Sequence, residues 1–267
     1  MPYVETKELR MHYQFDGPSD APPLVLSNSL GTTIALWEPQ MSVFAKNFRV
    51  LRYDSRGHGD TAVTPREYSI ERLANDVIQL LDALRLHRVY FCGLSIGGMT
   101  GMWLGANAPK RLNKLVVCNT GAKLGNAESW NARIQAVRSG GTQSVAGSVI
   151  ARWFTPEFRE KEPEKVAKAR QMIERTNAVG YMSSCAAVRD FDFRQKLGAI
   201  QVPTLIVSGA HDPVATPADG HALSAGISGA QYTELNAAHI SNIEDADRFN
   251  SEVSTFLMAE AGGALHG

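Results

Sequence analysis

Gly93, Ser95 and Gly97 form a G-x-S-x-G pattern, in which a serine hydroxyl can act as a nucleophile. The pattern follows a β-branched and aromatic run at 88–93 and precedes a helical stretch that reaches residue 108. Glycines two positions before and after the serine relieve crowding at a strained turn between a strand and a helix. This context favours a nucleophilic Ser95, raised above the carboxyl end of a strand, over a glycine-rich turn with an incidental serine.

A serine hydroxyl is a weak nucleophile at neutral pH and needs a base within hydrogen-bond distance. The chain has seven histidines, namely His12, His58, His87, His211, His221, His239 and His266. Catalytic groups in an open α/β sheet collect at the carboxyl ends of the strands. His239 follows the last predicted strand, near 231–235, and precedes a closing helix that begins at about residue 242. We therefore expect His239 to be the base.

The base in turn needs a carboxylate that orients it. Asp212 follows the predicted strand 204–209, so we expect its side chain at the same edge of the sheet as Ser95 and His239. The predicted nucleophile, acid and base then occur in the chain order Ser95, Asp212, His239.

A metal site is the main alternative use of these side chains. Its ligands would be His211, Asp212, His221 and His239. These residues lack a recognised spacing of metal ligands, so we expect neither a metal nor another cofactor.

The segments that must position these residues alternate between strand-like and helical patterns, which is typical of a mostly parallel sheet covered by helices. Strands are predicted at 23–28, 49–54, 88–93 and 114–119. Two polar-alternating runs before them, near 3–6 and 11–15, predict an antiparallel hairpin at one edge of the sheet. Apolar residues at helical spacing from Ile70 to Leu84 predict a helix, with Ser69 placed to cap it.

Residues 122–198 interrupt this alternation. They contain no strand-like run, and helices are predicted at 126–139, 142–153, 163–177 and 179–190. Strand and helix patterns resume at 204–209. We therefore predict an α/β core formed by residues 1–121 and 199–267, with residues 122–198 inserted as a helical cap.

The charge of the chain is balanced overall but not along its length. Its 267 residues include 27 lysines and arginines and 27 aspartates and glutamates, which argues against a sequence-independent nucleic-acid partner. Residues 122–198 hold 13 of the basic and 8 of the acidic residues, so this segment is about +5 and the remainder about −5. One interpretation of this excess of basic residues is that they lie on solvated helix faces. The other is that the cap attracts a small anionic ligand.

The sequence offers no signal of export or membrane insertion. The first ten residues, MPYVETKELR, lack the apolar region of a signal peptide, and no apolar stretch is long enough to span a bilayer. Cys92, Cys118 and Cys185 are odd in number and widely spaced, which favours buried thiols over disulfides. We expect a cytoplasmic protein without a membrane partner.

The order Ser95, Asp212, His239, with these strand placements, resembles the α/β-hydrolase fold family over the whole chain. The resemblance implies a mostly parallel sheet of about eight strands with an inserted helical cap. It also implies an oxyanion hole formed by the backbone N–H groups of Ile96 and Leu30. The loop at 27–33 departs from the family pattern, because many members carry His-Gly before the donor residue. The departure does not affect the expected donor, since a backbone N–H needs no particular side chain.

The turn Asp54–Gly59 also matches that family, in which it is mainly structural. We therefore interpret Asp54 and His58 as supports of the site and not as reactants. His211, next to Asp212, is expected to point away from the base.

Within that family, residues 28–33, the turn at 92–98 and the chain length are similar to the 3-oxoadipate enol-lactonases. This similarity implies a cofactor-free serine hydrolase that opens a small anionic lactone to 3-oxoadipate, in the β-ketoadipate pathway of bacterial aromatic-acid catabolism. Serine as nucleophile disfavours the dehalogenase and epoxide-hydrolase branches, which use an aspartate. A general carboxylesterase, a cofactor-free perhydrolase and a slow-turnover ligand receptor remain as alternatives.

The carboxylate of such a lactone lies away from the reacting carbonyl and can orient the ring over Ser95. Trp130 and Arg133 stand at i and i+3 of one predicted cap helix and so share a face, and Trp153 lies near the end of another. We hypothesise that Arg133 pairs with the carboxylate and that Trp130 or Trp153 lines the pocket. The alternative is an exposed arginine and tryptophans that serve only cap packing.

Overall fold

A computed structural model describes residues 2–259 of the chain, and a single sheet lies at its centre. The strands are β1 Tyr3–Glu5, β2 Arg10–Asp16, β3 Pro23–Ser27, β4 Arg49–Tyr53, β5 Val89–Leu94, β6 Leu112–Cys118, β7 Thr204–Gly209 and β8 Gln231–Leu235. Their order across the sheet is β1-β2-β4-β3-β5-β6-β7-β8. β1 and β2 are antiparallel, and β4, β3 and β5 to β8 run parallel, which confirms the predicted sheet and its edge hairpin.

Helices connect the parallel strands and follow β8. They are α1 Glu38–Phe44, α2 Ile70–Ala83, α3 Ile96–Asn107, α4 Ala127–Gly140, α5 Gln143–Trp153, α6 Pro156–Lys161, α7 Pro163–Arg175, α8 Ala178–Asp190, α9 Pro217–Gly226, α10 Ser241–Glu244 and α11 Ala246–Met258. Short 3-10 helices occur at Ile34–Trp37, Pro109–Arg111 and Arg194–Ala199. Across the described part of the chain, no helix combines the length and apolarity that crossing a membrane requires.

The central strands are apolar on both faces because helices cover the sheet from both sides. Leu24, Val25 and Leu26 of β3 are fully buried, as are Val116 and Val117 of β6. Each such side chain contributes about 1.5–3 kcal/mol by its removal from water. The continuous apolar runs that predicted these strands are therefore a consequence of burial on both faces.

The predicted helix after residue 69 is α2, and its cap is confirmed. The Ser69 side chain accepts a hydrogen bond from the Arg72 N–H. Leu73, Val77 and Leu80 lie on the buried side of α2. α1 and α6 are not predicted from the sequence, because helices of seven and six residues are too short for a repeating apolar pattern.

Five helices, α4 to α8, lie between β6 and β7, where α4 packs against α8 and α5 packs against α7. Their bounds agree with the four helices predicted there, apart from the additional α6. We propose that residues 122–198 are the cap and that residues 1–121 and 199–267 are the core. Residues 260–267 of that core, with His266, lie outside the described residues.

Candidate active site

Ser95 occupies a strained turn between β5 and α3. Its backbone has φ 58° and ψ −117°, a conformation that L-residues rarely adopt. A Cβ on Gly93 would lie 2.1 Å from the Gly97 carbonyl oxygen, and a Cβ on Gly97 would lie 2.3 Å from the Ser27 carbonyl oxygen. Only glycine fits at these two positions, which confirms the predicted strand, turn and helix around the serine.

Asp212 and His239 lie in the loops that follow β7 and β8. His239 Nδ1 is 2.8 Å from Asp212 Oδ2, and both side chains are almost fully buried. A carboxylate can only accept a hydrogen bond, so Nδ1 carries the proton and the lone pair of the ring lies on Nε2. The structure therefore brings the predicted acid and base together in the orientation that a base requires.

Asp212 is held in its ionised form. Burial raises the pKa of this carboxyl, but the positive charge that His239 carries when protonated, the hydrogen bond from His239 and two backbone N–H groups together lower the pKa by more. Those N–H groups belong to Val214 and Ala215, which donate to Oδ1 at 2.7 and 3.0 Å. The result is a carboxylate whose pKa lies below that of an ordinary aspartate.

Asn119, which the sequence reading missed, holds both of these loops from the end of β6. Its Nδ2 donates to Asp212 Oδ2 and to the Ala238 carbonyl oxygen, at 3.1 Å each. Its Oδ1 accepts from Ser241 Oγ at 2.6 Å, which orients the amide. The sequence signal that could have identified Asn119 is a polar residue directly after an apolar strand. In the structure its backbone has φ 45°, which asparagine tolerates.

Ser95 and His239 line the same small cavity, below α4 and α5. Its volume is about 20 Å³, room for about one or two water molecules. Among residues 2–259, no hydrogen bond joins the Ser95 hydroxyl to the His239 ring. Such bonds are often long in active sites without substrate and shorten when substrate binds.

The loop after β3 brings Leu30 to this cavity. Thr32 N–H donates to the Ser29 carbonyl oxygen at 3.2 Å, and Gly31, with φ 79°, supplies the positive φ of a type II turn. Ile96 begins α3, where backbone N–H groups have no partner within the helix. The assignment of the Leu30 and Ile96 N–H groups to an oxyanion hole stays a prediction.

Asn28 anchors that loop at the position where many family members carry a histidine. Its Nδ2 donates to the Tyr53 carbonyl oxygen at 2.8 Å, and its Oδ1 accepts from Trp37 Nε1 at 2.9 Å. The asparagine is fully buried, so both of its polar groups are satisfied within the protein. These two hydrogen bonds of Asn28 therefore hold the start of the loop that carries Leu30.

The predicted cap residues Trp130, Arg133 and Trp153 all line the cavity that contains Ser95. The two tryptophans are buried, and the Arg133 guanidinium lies 4.6 Å from the centre of the Trp130 ring. Arg133 is half-buried, and its pairing with a substrate stays a prediction.

Arg152 of α5 is a second cap arginine at this cavity, and the sequence reading missed it. Burial lowers the pKa of its guanidinium, and the positive charge of Arg133 lowers it further. Within the described residues, the cap arginines that pair with carboxylates are Arg170, Arg189 and Arg194, and neither Arg133 nor Arg152 is among them. The sequence signal that could have identified Arg152 as a cavity residue is its position next to Trp153, at the end of a predicted helix in a basic segment.

His211, His221 and His58 do not line the cavity that contains Ser95. His211 Nε2 is 2.9 Å from Asn236 Oδ1, and His221 stacks on Tyr232. His58 is buried against the Arg56 carbonyl oxygen, and burial lowers its pKa. Nowhere in residues 2–259 do three or more histidine, cysteine, aspartate or glutamate side chains form a group that could hold a metal ion.

Asp54 supports the segments that follow β3 and β4. Its Oδ2 lies 2.6 Å from His12 Nδ1, and its Oδ1 accepts from the Ile34 N–H at 2.9 Å. The carboxylate therefore ties the turn after β4 to β2 and to the 3-10 helix that follows the Leu30 loop.

The sheet order, the turn at Ser95 and the pairing of Asp212 with His239 agree with the α/β-hydrolase fold. Residues 22–246 match the α/β-hydrolase fold family. The chain belongs to this family.

Its relatives include enzymes of defined activity. The chain is 41% identical over 254 residues to 3-oxoadipate enol-lactonase 2 of Acinetobacter baylyi, with 95% of each chain covered. It is 38% identical over 244 residues to 3-oxoadipate enol-lactonase 1 of that organism, with 91% of each chain covered. The crystal structure of the enol-lactonase from Burkholderia xenovorans LB400 superimposes with a TM-score of 0.95 at 44% identity, covering 97% of this chain and 100% of that chain. These findings confirm the resemblance to enol-lactonases.

Proposed function

We propose that the protein hydrolyses 3-oxoadipate enol-lactone to 3-oxoadipate, a step of the β-ketoadipate pathway of aromatic-acid catabolism. The observation that carries this proposal is one cavity lined by Ser95, by His239 with its bond to Asp212, and by the cap arginines Arg133 and Arg152. The serine and histidine can cleave an ester, and the two arginines can bind an anionic group on that ester. The substrate itself is suggested by the enol-lactonase relatives.

In this mechanism, Ser95 Oγ attacks the lactone carbonyl carbon while His239 Nε2 accepts the hydroxyl proton. Ionised Asp212 stabilises the resulting imidazolium. The negative charge on the carbonyl oxygen is stabilised by the Leu30 and Ile96 N–H groups, aided by the amino end of α3.

Collapse of this intermediate breaks the bond between the carbonyl carbon and the ring oxygen. The leaving group is an enolate, which is less basic than an alkoxide, and it takes its proton from His239. Water then attacks the acyl carbon while His239 takes one of its protons. The bond between this carbon and Ser95 Oγ breaks, Oγ regains a proton from His239, and the free acid leaves.

The carboxylate of the substrate is proposed to bind between Arg133 and Arg152. Each arginine can form charge-assisted hydrogen bonds with a carboxylate, and an anion between them would relieve their mutual repulsion. Trp130 and Trp153 then form the apolar walls around the lactone ring. Binding at this remote group orients the carbonyl over Ser95.

The substrate must reach a cavity that is now smaller than a lactone ring, so the cap side chains have to move. Trp130, Arg133 and Arg152 also line a second cavity of about 410 Å³ between α4 and α5. We propose that the substrate enters along this side, past the same arginines that bind its carboxylate.

The test is to generate the enol-lactone in situ and follow its loss with wild-type and Ser95→Ala protein. We expect wild type to consume the lactone and Ser95→Ala to lose at least about 10³-fold in kcat. A wild-type protein that hydrolyses neutral 4-nitrophenyl esters faster than the lactone would favour a general carboxylesterase. Unchanged activity of Ser95→Ala would contradict the mechanism.

A further inference from the structure

Glu244, at the end of α10, joins the cap to the loop that carries His239. Its Oε1 accepts hydrogen bonds from the Thr155 N–H, at 3.0 Å, and from the Thr155 hydroxyl. Its Oε2 accepts from the Ala238 N–H at 2.9 Å. Ala238 directly precedes His239, so a single carboxylate spans the cap and the histidine loop.

A second hydrogen bond connects the same two segments on the other side of His239. The Ile240 N–H donates to the Trp153 carbonyl oxygen at 3.0 Å. Trp153 lines the catalytic cavity and ends α5, two residues before Thr155. The residues on both sides of His239 are thus connected to cap residues 153–155, Ile240 directly and Ala238 through Glu244.

We propose that Glu244 is a positioning residue that sets His239 against the substrate by tying its loop to cap residues 153–155. This inference rests on the proposed function. Asn119 holds the Ala238 carbonyl oxygen, and Glu244, which is itself bonded to Thr155 of the cap, holds the Ala238 N–H. These bonds hold the two peptide groups that flank the Cα of Ala238, and they limit the movement of the His239 ring that follows. Proton transfer is sensitive to displacements of about 1 Å, so this restraint affects the rate of reaction.

A carboxylate is well suited to this position because all of the groups it meets are donors. Three donors converge on the two oxygens of Glu244, and each oxygen has the lone pairs to accept them. A glutamine has one acceptor oxygen and a donor NH₂ group. Glu244→Gln would therefore lose either the bond to Ala238 or the bonds to Thr155, with little change in volume.

The experiment compares wild type, Glu244→Gln, Thr155→Ala and Thr155→Ser, with Glu252→Gln as the control. Glu252 lies in a partly exposed ion pair with Arg248 on α11. Active sites are counted by titration to completion with a fluorophosphonate, which reports the reactive Ser95. kcat and KM are then measured for the enol-lactone and for 4-nitrophenyl acetate, and the pH profile of kcat/KM is recorded.

We expect Glu244→Gln to lower kcat per titrated site about tenfold while KM changes less than about twofold. The acidic limb of the pH profile, which reports the ionisation of the base, should shift. Thr155→Ala should show a smaller loss, Thr155→Ser should restore most of the activity, and Glu252→Gln should match wild type.

An unchanged kcat per titrated site in Glu244→Gln would overturn the proposal. So would a loss of activity that follows only from fewer titrated sites, because that result indicates a role in folding alone. A wild-type enzyme that hydrolyses 4-nitrophenyl acetate but not the lactone would overturn the substrate assignment, and the role of Glu244 would then be decided on the acetate ester.

Discussion

His239 Nδ1 lies 2.8 Å from Asp212 Oδ2, and both side chains are almost fully buried. The two residues belong to loops that follow neighbouring parallel strands, β7 and β8. The fixed register of these strands sets the separation of the loops. This bond determines which ring nitrogen of His239 is free to accept the proton of Ser95.

Replacing Asp212 by asparagine should remove most of the activity without removing the fold. An asparagine amide can donate to Nδ1, which would leave the proton on Nε2 and the ring in the wrong tautomer for a base. We expect kcat to fall by about 10³- to 10⁴-fold with little change in KM. Steady-state kinetics on the enol-lactone measure this, and a fall of less than about tenfold would contradict the assigned role.

Asp212 should also make the stability of the protein depend on pH. Its pKa in the folded protein is lowered, so its ionised form stabilises the fold above the ordinary pKa of aspartate, about 4. That stabilisation is lost as the pH falls through the lower folded-state pKa. The difference in free energy of unfolding between wild type and Asp212→Asn should therefore be largest near neutral pH and shrink in acid. Urea unfolding across this pH range tests it, and a difference independent of pH would refute it.

Removal of either cap arginine should weaken the binding of an anionic substrate selectively. For Arg133→Ala and Arg152→Ala we expect KM for the enol-lactone to rise about ten- to a hundredfold, because a charge-assisted pair is lost. Neutral 4-nitrophenyl acetate should be hydrolysed nearly as fast as by wild type. Arg138→Ala, an exposed residue on the same helix as Arg133, is the matched control. An unchanged KM for the lactone in both variants would exclude these arginines from substrate binding.

A methyl group at Gly97 should be poorly tolerated. Its Cβ would lie 2.3 Å from the Ser27 carbonyl oxygen and 2.9 Å from that of Asn28, both in backbone that cannot move without displacing β3. We expect Gly97→Ala to lose about 3 kcal/mol or more of unfolding free energy and most of its activity.

Gly147→Ala provides the control for that substitution. Gly147 lies in α5, and a Cβ there would have no atom within 4 Å. Alanine should raise the free energy of unfolding by up to about 1 kcal/mol, because it favours the helix more than glycine does. Thermal unfolding of both variants measures the contrast, and equal effects at the two positions would contradict the steric argument.

Local patterns in the sequence determined much of the fold and the main components of the site. Buried strands such as β7 appear as continuous apolar runs because both of their faces are covered, and the glycines around Ser95 mark a turn that only they can form. Since parallel strands present their carboxyl ends at one edge, the residues that follow β7 and β8 could be assigned to the same site before any distance was known.

Only the tertiary structure revealed the polar contacts that hold this site. Asn119 and Asp212 are 93 residues apart in the chain, and Thr155 and Glu244 are 89 apart. Arg152 faces the cavity because of the way α5 packs on its neighbours. Such contacts depend on loop geometry and helix rotation, which leave no periodic pattern in the sequence. The amino-acid sequence thus determined which residues could react, and the packing of distant segments decided how those residues are oriented and restrained.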